Sequence, residues 1–268
     1  MTEPVTRLPI TAFVGSHNEA RLLERCLPSL AFCDEVIVID IASDDDTAAV
    51  ARAHGARVLQ HEWVPIAEHA RLELVGEAAN EWLLFIDPDE MLPPTLARQV
   101  GDLLPTLADD VSVINCPWQF RFRGRALRGT MWGGVTAKKF FVRLEGVELH
   151  PTVHGGTTIR SGYRAVSIEY DGTNAVAHHW ADSYRSLIEK HRRYLTLEGP
   201  DRRRHGLITG YRDIVRTPWS SFVESFVARR GFRDGLTGFA LSVLWAVYST
   251  GAKIALLREL RRVPSVAP

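Results

Sequence analysis

Along the first hundred residues, apolar stretches of strand length alternate with stretches whose apolar positions recur at helical spacing. Residues 10-ITAFVGS-16 form a β-prone run that gives way to a polar loop. In 20-ARLLERCLPSL-30, Leu22, Leu23, Cys26, Leu27 and Leu30 share one helical face. The nearly unbroken 35-EVIVIDI-41 predicts a strand buried on both faces. A helix over 47–55 closed by Gly55, a short strand over 56–60, a helix over about 66–79 and a strand over 82–86 follow. Alternation of strand and helix with short connections predicts an α/β fold built on a wound parallel sheet. Ligands of such sheets bind beyond the carboxyl ends of the strands. That rule singles out three loops, 15-GSHNE-19, 40-DIASDDDT-47 and 87-DPDE-90.

All three loops are polar and two are acidic, which changes what they can bind. Neither a P-loop nor a GxGxxG follows the first strand, so the usual glycine-rich phosphate cradles are absent. An acidic site still holds a diphosphate when a hard divalent cation, Mg²⁺ or Mn²⁺, bridges the two. Asp87-Pro88-Asp89 at a strand end suits that task, with Pro88 fixing the backbone and aiming the carboxylates outward. The plainer reading is an Asx-turn with solvated carboxylates. Asp40 ends the second buried strand, where its carboxylate can accept hydrogen bonds from a base imide or a ribose hydroxyl. Ser43 and Thr47 read equally well as turn and N-cap residues.

The ordered segments 16-SHNEARLLERCLPSL-30, 35-EVIVIDIASDDDT-47 and 82-WLLFIDPDE-90 resemble the N-terminal half of family 2 glycosyltransferases with the GT-A fold. The resemblance is greatest to the lipopolysaccharide-core and capsule branch, which carries N-E, D-S-G-S-x-D-x-T and D-A-D-E at these places. It implies a Rossmann-like GT-A domain and an inverting transferase that uses a nucleotide-diphosphate sugar. It further implies that Ser16, Asn18, Glu19, Asp40, Ser43, Asp45, Arg71 and Asp87 face the nucleotide-sugar, with Asp40 and Asp45 at the nucleoside and Arg71 at the diphosphate. Asp89, helped by Asp87, would hold the metal. The chain departs from the branch at Leu72, where Asn is common, and at Ile41-Ala42, where the branch has Ser-Gly.

Residues 111–180 change character. The aromatic, alternating 111-VSVINCPWQFRFRG-124 and the strand-like 138-KKFFVRLEG-146 precede 147-VELHPTVHGGTTIRSG-162, rich in His and Gly. They predict an extension of the sheet that carries the acceptor groove. Trp118, Phe120 and Trp132 suit sugar stacking, and core packing more often. Transfer needs a base for the acceptor hydroxyl. The resembled branch often has V-H-E here, whereas this chain reads Val153-His154-Gly155, so His154 and Glu148 both stand as candidates. Structural histidine in a tight loop is the plainer role for His150 and His154. By the resemblance, one of His178 and His179 completes the metal shell. The spacing to Lys190 favours His178, and strand alternation would aim His179 the other way.

Charge adds a second theme. The chain of 268 residues is neutral overall, yet residues 1–181 carry 16 Lys and Arg against 24 Asp and Glu, while residues 182–268 carry 16 against 8. A basic end on an acidic protein suggests phosphate or an anionic membrane as its partner. Residues 236–252 are uncharged and flanked by arginines, a pattern suited to a helix lying in a membrane interface and marginal for spanning one. A helix docked on the catalytic domain or on a second copy of the chain is the blander reading. No cleavable signal is expected, since the apolar run at 10–15 is too short. Cys26, Cys33 and Cys116 lack metal spacing and are expected as buried reduced thiols.

These observations predict a nucleotide-sugar-binding half over 1–110, an acceptor-side extension over 111–181 and a basic helical region over 182–268. The expected partners are a nucleotide-diphosphate sugar, a glycan or glycolipid acceptor and the inner membrane surface, with a second copy of the chain as a further candidate and no nucleic acid. The expected location is cytoplasmic, peripheral on the inner face of the cell membrane. A non-catalytic scaffold that keeps the nucleotide fold is the alternative. A DxD phosphohydrolase is a weaker one, because such enzymes carry DxD after the first strand, where this chain has 14-VGSHNE-19.

Overall fold

A computed structural model describes residues 7–150 and 157–262. The chain forms two compact units, Met1–Trp118 with Val135–His178, and Gln119–Gly134 with His179–Pro268.

In the first unit the expected alternation is present as β1 (Leu8–Ser16), α1 (Ala20–Cys26), β2 (Cys33–Ile41), α2 (Thr47–Ala53), β3 (Arg57–His61), α3 (Ala67–Leu74) and β4 (Trp82–Ile86). The first helix stops sooner than its apolar spacing suggests. Leu27–Leu30 tightens into a 3₁₀ turn, because Pro28 has no N–H to continue the α-helical ladder. Gly55 closes the second helix with φ 80°, a backbone conformation that glycine adopts without cost.

The unit continues through β5 (Glu90–Met91), α4 (Pro94–Leu103) and β6 (Val111–Phe122), whose far end enters the second unit and meets β7 (Arg125–Ala126). It resumes with β8 (Thr136–Arg143), β9 (Val147–Leu149), β10 (Thr157–Ile159), β11 (Arg164–Ser167) and β12 (Val176–Ala181), the last again crossing into the second unit. The sheet order is β3-β2-β1-β4-β8-β6-β12-β5, with β11 beside β6, while β9 and β10 pair separately. β1 runs parallel to β2 and β4, and β2 parallel to β3. β8 is antiparallel to its neighbours β4 and β6.

Both faces of the parallel core are covered, which explains the unbroken apolar runs. Ala12, Val14, Val38 and Leu84 pack with Leu23, Cys26, Leu96 and Val100 on one face. Phe13, Ile37, Ile39 and Leu83 pack with Ala70 on the other. The three cysteines are buried and unpaired. Gly15 lets α3 rest on the end of β1, since a Cβ there would lie 2.7 Å from that of Ala67.

The second unit is built from the β6–β7 turn and three helices, α5 (Tyr184–Arg204), α6 (Tyr211–Val223) and α7 (Gly235–Arg262). Its core gathers Phe122, Leu127, Trp180, Leu187 and Leu241, with Phe120 and Trp132 packed against them. Residues 200–206 read as a basic turn, yet α5 runs through Pro200 to Arg204. Tertiary packing outweighs the lost backbone bond here. α5 packs along α7, and Gly199 approaches so closely that a Cβ would sit 2.9 Å from the Ala255 carbonyl oxygen. Glu198 accepts a 2.5 Å hydrogen bond from Tyr248 Oη and pairs with Arg202. The turn follows at Gly206, φ 69°.

α7 is long and apolar enough to cross a membrane by length and composition. Nevertheless it buries Leu241, Ala246, Ala252 and Leu256 within its unit and leaves Leu236, Phe239, Val243 and Val247 exposed. Spaced three or four residues apart, those four lie along one helical stripe.

Candidate active site

The parallel register sets the three chosen loops side by side. Ser16 lies opposite Asp40, and Val14 opposite Ile86. The strand order 3-2-1-4 reverses direction between β1 and β4, which makes their carboxyl ends the switch point where wound sheets bind ligands. The loops after β1 and β4 flank that crevice.

The loops after β1 and β2 brace each other. Asn18 takes a left-handed conformation, φ 56°, that Asn tolerates. Its N–H donates to Ser43 Oγ at 3.0 Å, and its side-chain oxygen accepts from the Asp44 N–H at 2.8 Å. The Glu19 N–H donates to Thr47 Oγ1 at 3.0 Å, and the Ala20 N–H to Asp45 Oδ2 at 3.3 Å. Asp45 also accepts from Thr47, whose hydroxyl bond holds its carboxyl below the ordinary range. Ser43, Asp45 and Thr47 therefore shape the first loop through their own side chains. Asp40 is buried at the end of β2, accepting from the Ser43 N–H at 3.2 Å and from Gln60 Nε2 at 3.1 Å.

The loop after β4 is held by charge. Glu90, with no exposed surface, accepts from the Asp87 N–H at 3.0 Å, from Trp118 Nε1 at 2.7 Å and from Lys138 Nζ at 2.5 Å. Burial, with Asp87 nearby, raises its carboxyl above the ordinary range despite Lys138. Asp87 turns toward a partner rather than straight outward. Its Oδ1 accepts from Arg71 Nη2 at 2.7 Å, and its Oδ2 lies 3.9 Å from Lys138 Nζ. Burial opposes ionisation there, but Arg71 and Lys138 outweigh it and hold the Asp87 carboxyl well below the carboxylate range. Arg71 also donates to the Ile86 carbonyl at 2.9 Å, while among the described residues its buried Nε has no hydrogen-bond partner.

Asp89 faces a different neighbour. Its Oδ2 lies 3.0 Å from His178 Nε2, and the His178 ring packs 5.0 Å from that of Trp118. The pairing of β12 with β5, His178 opposite Glu90, brings the imidazole to the loop. Ser16 donates to Glu19 at 3.3 Å. Burial, then the charges of Asp89 and Asp87, push the Glu19 carboxyl up to about 7. Five acidic or imidazole groups from β1, β4 and β12 thus form one charged system.

Asp89 and His178 supply one carboxylate oxygen and one imidazole nitrogen. Among the described residues no three His, Cys, Asp or Glu side chains converge as a closed metal set. The donors present fit a cation that takes its other ligands from phosphate oxygens and water, as Mg²⁺ and Mn²⁺ do in phosphate sites.

Other expected residues stand apart from this cluster. His154 lies outside the described residues. Glu148 is exposed on β9, and among the described residues nothing hydrogen-bonds or ion-pairs it to the 87–90 loop. His150 Nε2 lies 2.9 Å from Thr158 Oγ1. His179 follows His178 on β12, where alternation turns it to the opposite face. The residue that sequence reasoning missed is Lys138. Its ammonium lies 5.2 Å from the Trp118 ring and 4.9 Å from that of Phe140. Alternation along 138-KKFFVR-143 puts Lys138 on the face of the buried Phe140, and that was the available signal.

Removing the Glu90 carboxylate strands three donors at once. Glu90→Ala is expected to destabilise the protein by about 3 kcal/mol, at the low end for a broken buried pair because Lys138 is 36% exposed. Urea unfolding checks this, and a change within about 0.5 kcal/mol, the size of an ordinary surface substitution, would remove Glu90 as the anchor.

The model of Glycosyl transferase family 2 matches residues 11–172. The lipopolysaccharide core biosynthesis glycosyltransferase LpsC of Rhizobium meliloti is 24% identical, over 98% of this chain and 97% of its own length. An uncharacterized glycosyltransferase of Rickettsia felis is 26% identical, over 93% of this chain and 89% of its own. The solved structure of glucosyl-3-phosphoglycerate synthase from Mycobacterium tuberculosis, in complex with Mn²⁺, uridine-diphosphate and glucosyl-3-phosphoglycerate, aligns with 43% of this chain and 44% of its own. That alignment has 26% identity and a TM-score of 0.34, an overlap too partial to carry any argument. The family match covers more than half the chain and contains the wound sheet with its three loops. The chain belongs to glycosyl transferase family 2 and is a glycosyltransferase of the GT-A fold.

Proposed function

We propose that this glycosyltransferase moves a sugar, with inversion, from a nucleotide-diphosphate sugar to a hydroxyl of a lipid-linked or cell-envelope glycan. The observation that carries the proposal is the Asp89–His178 pair beside the Arg71–Asp87–Lys138 ion cluster at the switch point. Similarity to a lipopolysaccharide-core enzyme along nearly the whole chain supports the envelope acceptor.

In this reading Asp89 and His178 hold a divalent cation, Mg²⁺ or Mn²⁺, which neutralises charge on the departing diphosphate. Asp87, kept ionised by Arg71, adds negative charge beside that position. Asp40 keeps acceptor capacity beyond its two bonds and faces the nucleoside, with Ser43, Asp45 and Asn18 fixing the loop around it. Ser16 and Glu19 line the β1 side of the crevice. The acceptor oxygen attacks the anomeric carbon as the bond to the diphosphate breaks, and its proton passes to a base, for which His154 and Glu148 are the candidates.

The second unit supports work at the inner face of the cell membrane. Val215 and Trp219 of α6 are exposed, Trp219 at 74%, and so are Leu236 and Val247 of α7. Phe222 of α6 and Phe226 just beyond it pack on Phe239 of α7. Arg212, Arg216, Arg229, Arg230 and Arg233 are exposed around them. Apolar side chains rimmed by arginine suit an anionic lipid interface.

Binding of nucleotide-diphosphate sugars, measured with and without Mn²⁺ for wild type and Asp89→Ala, tests the first claim. Mn²⁺-dependent binding weakened at least about tenfold by the substitution is expected. Binding indifferent to both cation and substitution would refute it. For the second claim, wild type is expected to float with vesicles containing phosphatidylglycerol and the Leu236→Asp, Val247→Asp variant to stay behind. Equal flotation would rule out the stripe as the anchor, and a wild type that pairs in solution without floating would make it a contact between copies.

A further inference from the structure

A basic recess lies within the second unit and shares none of its lining residues with the donor-site residues named above. It has a volume of about 530 Å³, and its lining includes Arg123, Arg125 and Arg128 in and after the β6–β7 turn, together with Asp234 and Thr237. Asp234 is already committed. Its oxygens accept from the Arg128 N–H at 3.0 and 3.1 Å and from the Gly129 N–H at 2.7 Å, and Oδ1 lies 3.6 Å from Arg128 Nε. Arg128 also donates to the Arg233 carbonyl. Among the described residues, the guanidinium groups of Arg123 and Arg125 have neither a hydrogen-bond nor an ion-pair partner.

Arg123 and Gly124 form the two-residue turn between β6 and β7, with φ 52° and 76°. Such turns favour Asn, Asp or Gly at the first position, and a long side chain there costs free energy. The chain nevertheless puts arginine at that position and again at Arg125, after Gly124. A strained, charged residue that lines a cavity is a pointer to function. Beyond Arg128, the next residue is closely packed. Gly129 lies against residue 230 so closely that a Cβ would be 2.2 Å from the Arg230 carbonyl oxygen. Thr237 belongs to the first turn of α7, whose 28 residues put the positive end of their dipole toward the recess.

We infer that this recess binds a phosphate group carried on a larger molecule. Three arginines less one aspartate leave a net charge near +2, which matches a phosphomonoester at neutral pH. Planar guanidinium forks grip tetrahedral oxyanions in pairs. The volume exceeds that of a phosphate alone and leaves room for a sugar or a lipid headgroup. The site is thus a reader of phosphorylated compounds, independent of the donor chemistry, and it gives the second unit a role in choosing what the enzyme works on.

The test uses the full chain in low-salt buffer. Glucose 6-phosphate is titrated calorimetrically, and sedimentation is measured with phosphatidylcholine vesicles with and without phosphatidic acid. Wild type is expected to bind at least one phosphorylated probe, and Arg123→Gln with Arg125→Gln to weaken that binding at least about tenfold. Asp89→Ala is expected to leave it unchanged, which separates this site from the donor site. Arg123→Gly is the decisive second variant, because glycine suits the turn. Its thermal stability is expected to hold or rise while phosphate binding falls. Binding of the soluble probe points to a phosphorylated glycan, and phosphatidic-acid-dependent vesicle binding that Arg123→Gly weakens, with the α7 stripe intact, points to a lipid headgroup. Failure of wild type to bind either, or unchanged binding in Arg123→Gly, would overturn the inference.

Discussion

The site rests on one buried carboxylate. Glu90 sits at the carboxyl end of β4 without solvent and holds the Asp87 backbone, the Trp118 indole and the Lys138 ammonium together. A lone ionised carboxylate in such a place is untenable, and three directed donors are what make it stable. Lys138 in turn sits near Asp87, which Arg71 grips from the other side. Two cations thereby steady two of the three carboxylates of the loop. The third, Asp89, is left to face His178. Negative charge is concentrated at the strand end yet kept in order, an arrangement that suits the cation-bridged diphosphate of the proposed function.

Much of this was legible in the sequence, for physical reasons. Strands buried on both faces must be apolar throughout, so 35-EVIVIDI-41 and 82-WLLFI-86 could be little else. The switch-point rule then selected the loops without side-chain knowledge. The division of labour inside the loops was not legible. Asp87 and Asp89 are two residues apart, yet one is tied to Arg71 and the other to His178, across separations of 16 and 89 residues. Only the fold brings such partners together. Lys138 was hidden for the same reason, and Ser43 and Thr47 could be read as caps or as contacts until their loop bonds were seen.

The second unit shows where local rules yield to packing. Pro200 and the basic run after it signal a turn, but contact with α7 carries α5 onward to Arg204. The uncharged stretch of α7 reads as membrane-seeking, yet Leu241, Ala246, Ala252 and Leu256 of that helix are spent on the unit's own core, leaving a stripe exposed. The arginines at the β6–β7 turn have no counterpart in sequence pattern at all. Their meaning comes from the left-handed backbone at Arg123 and from the recess around them.

The central claim is that Asp89 and His178 jointly hold a divalent cation at the switch point. Pulsed electron paramagnetic resonance of Mn²⁺ added with a nucleoside diphosphate tests it most directly, using protein labelled with ¹⁵N-histidine. The account predicts coupling to a single directly bound imidazole nitrogen that disappears in His178→Gln. Coupling that is absent in wild type, or that persists unchanged in His178→Gln, would contradict it.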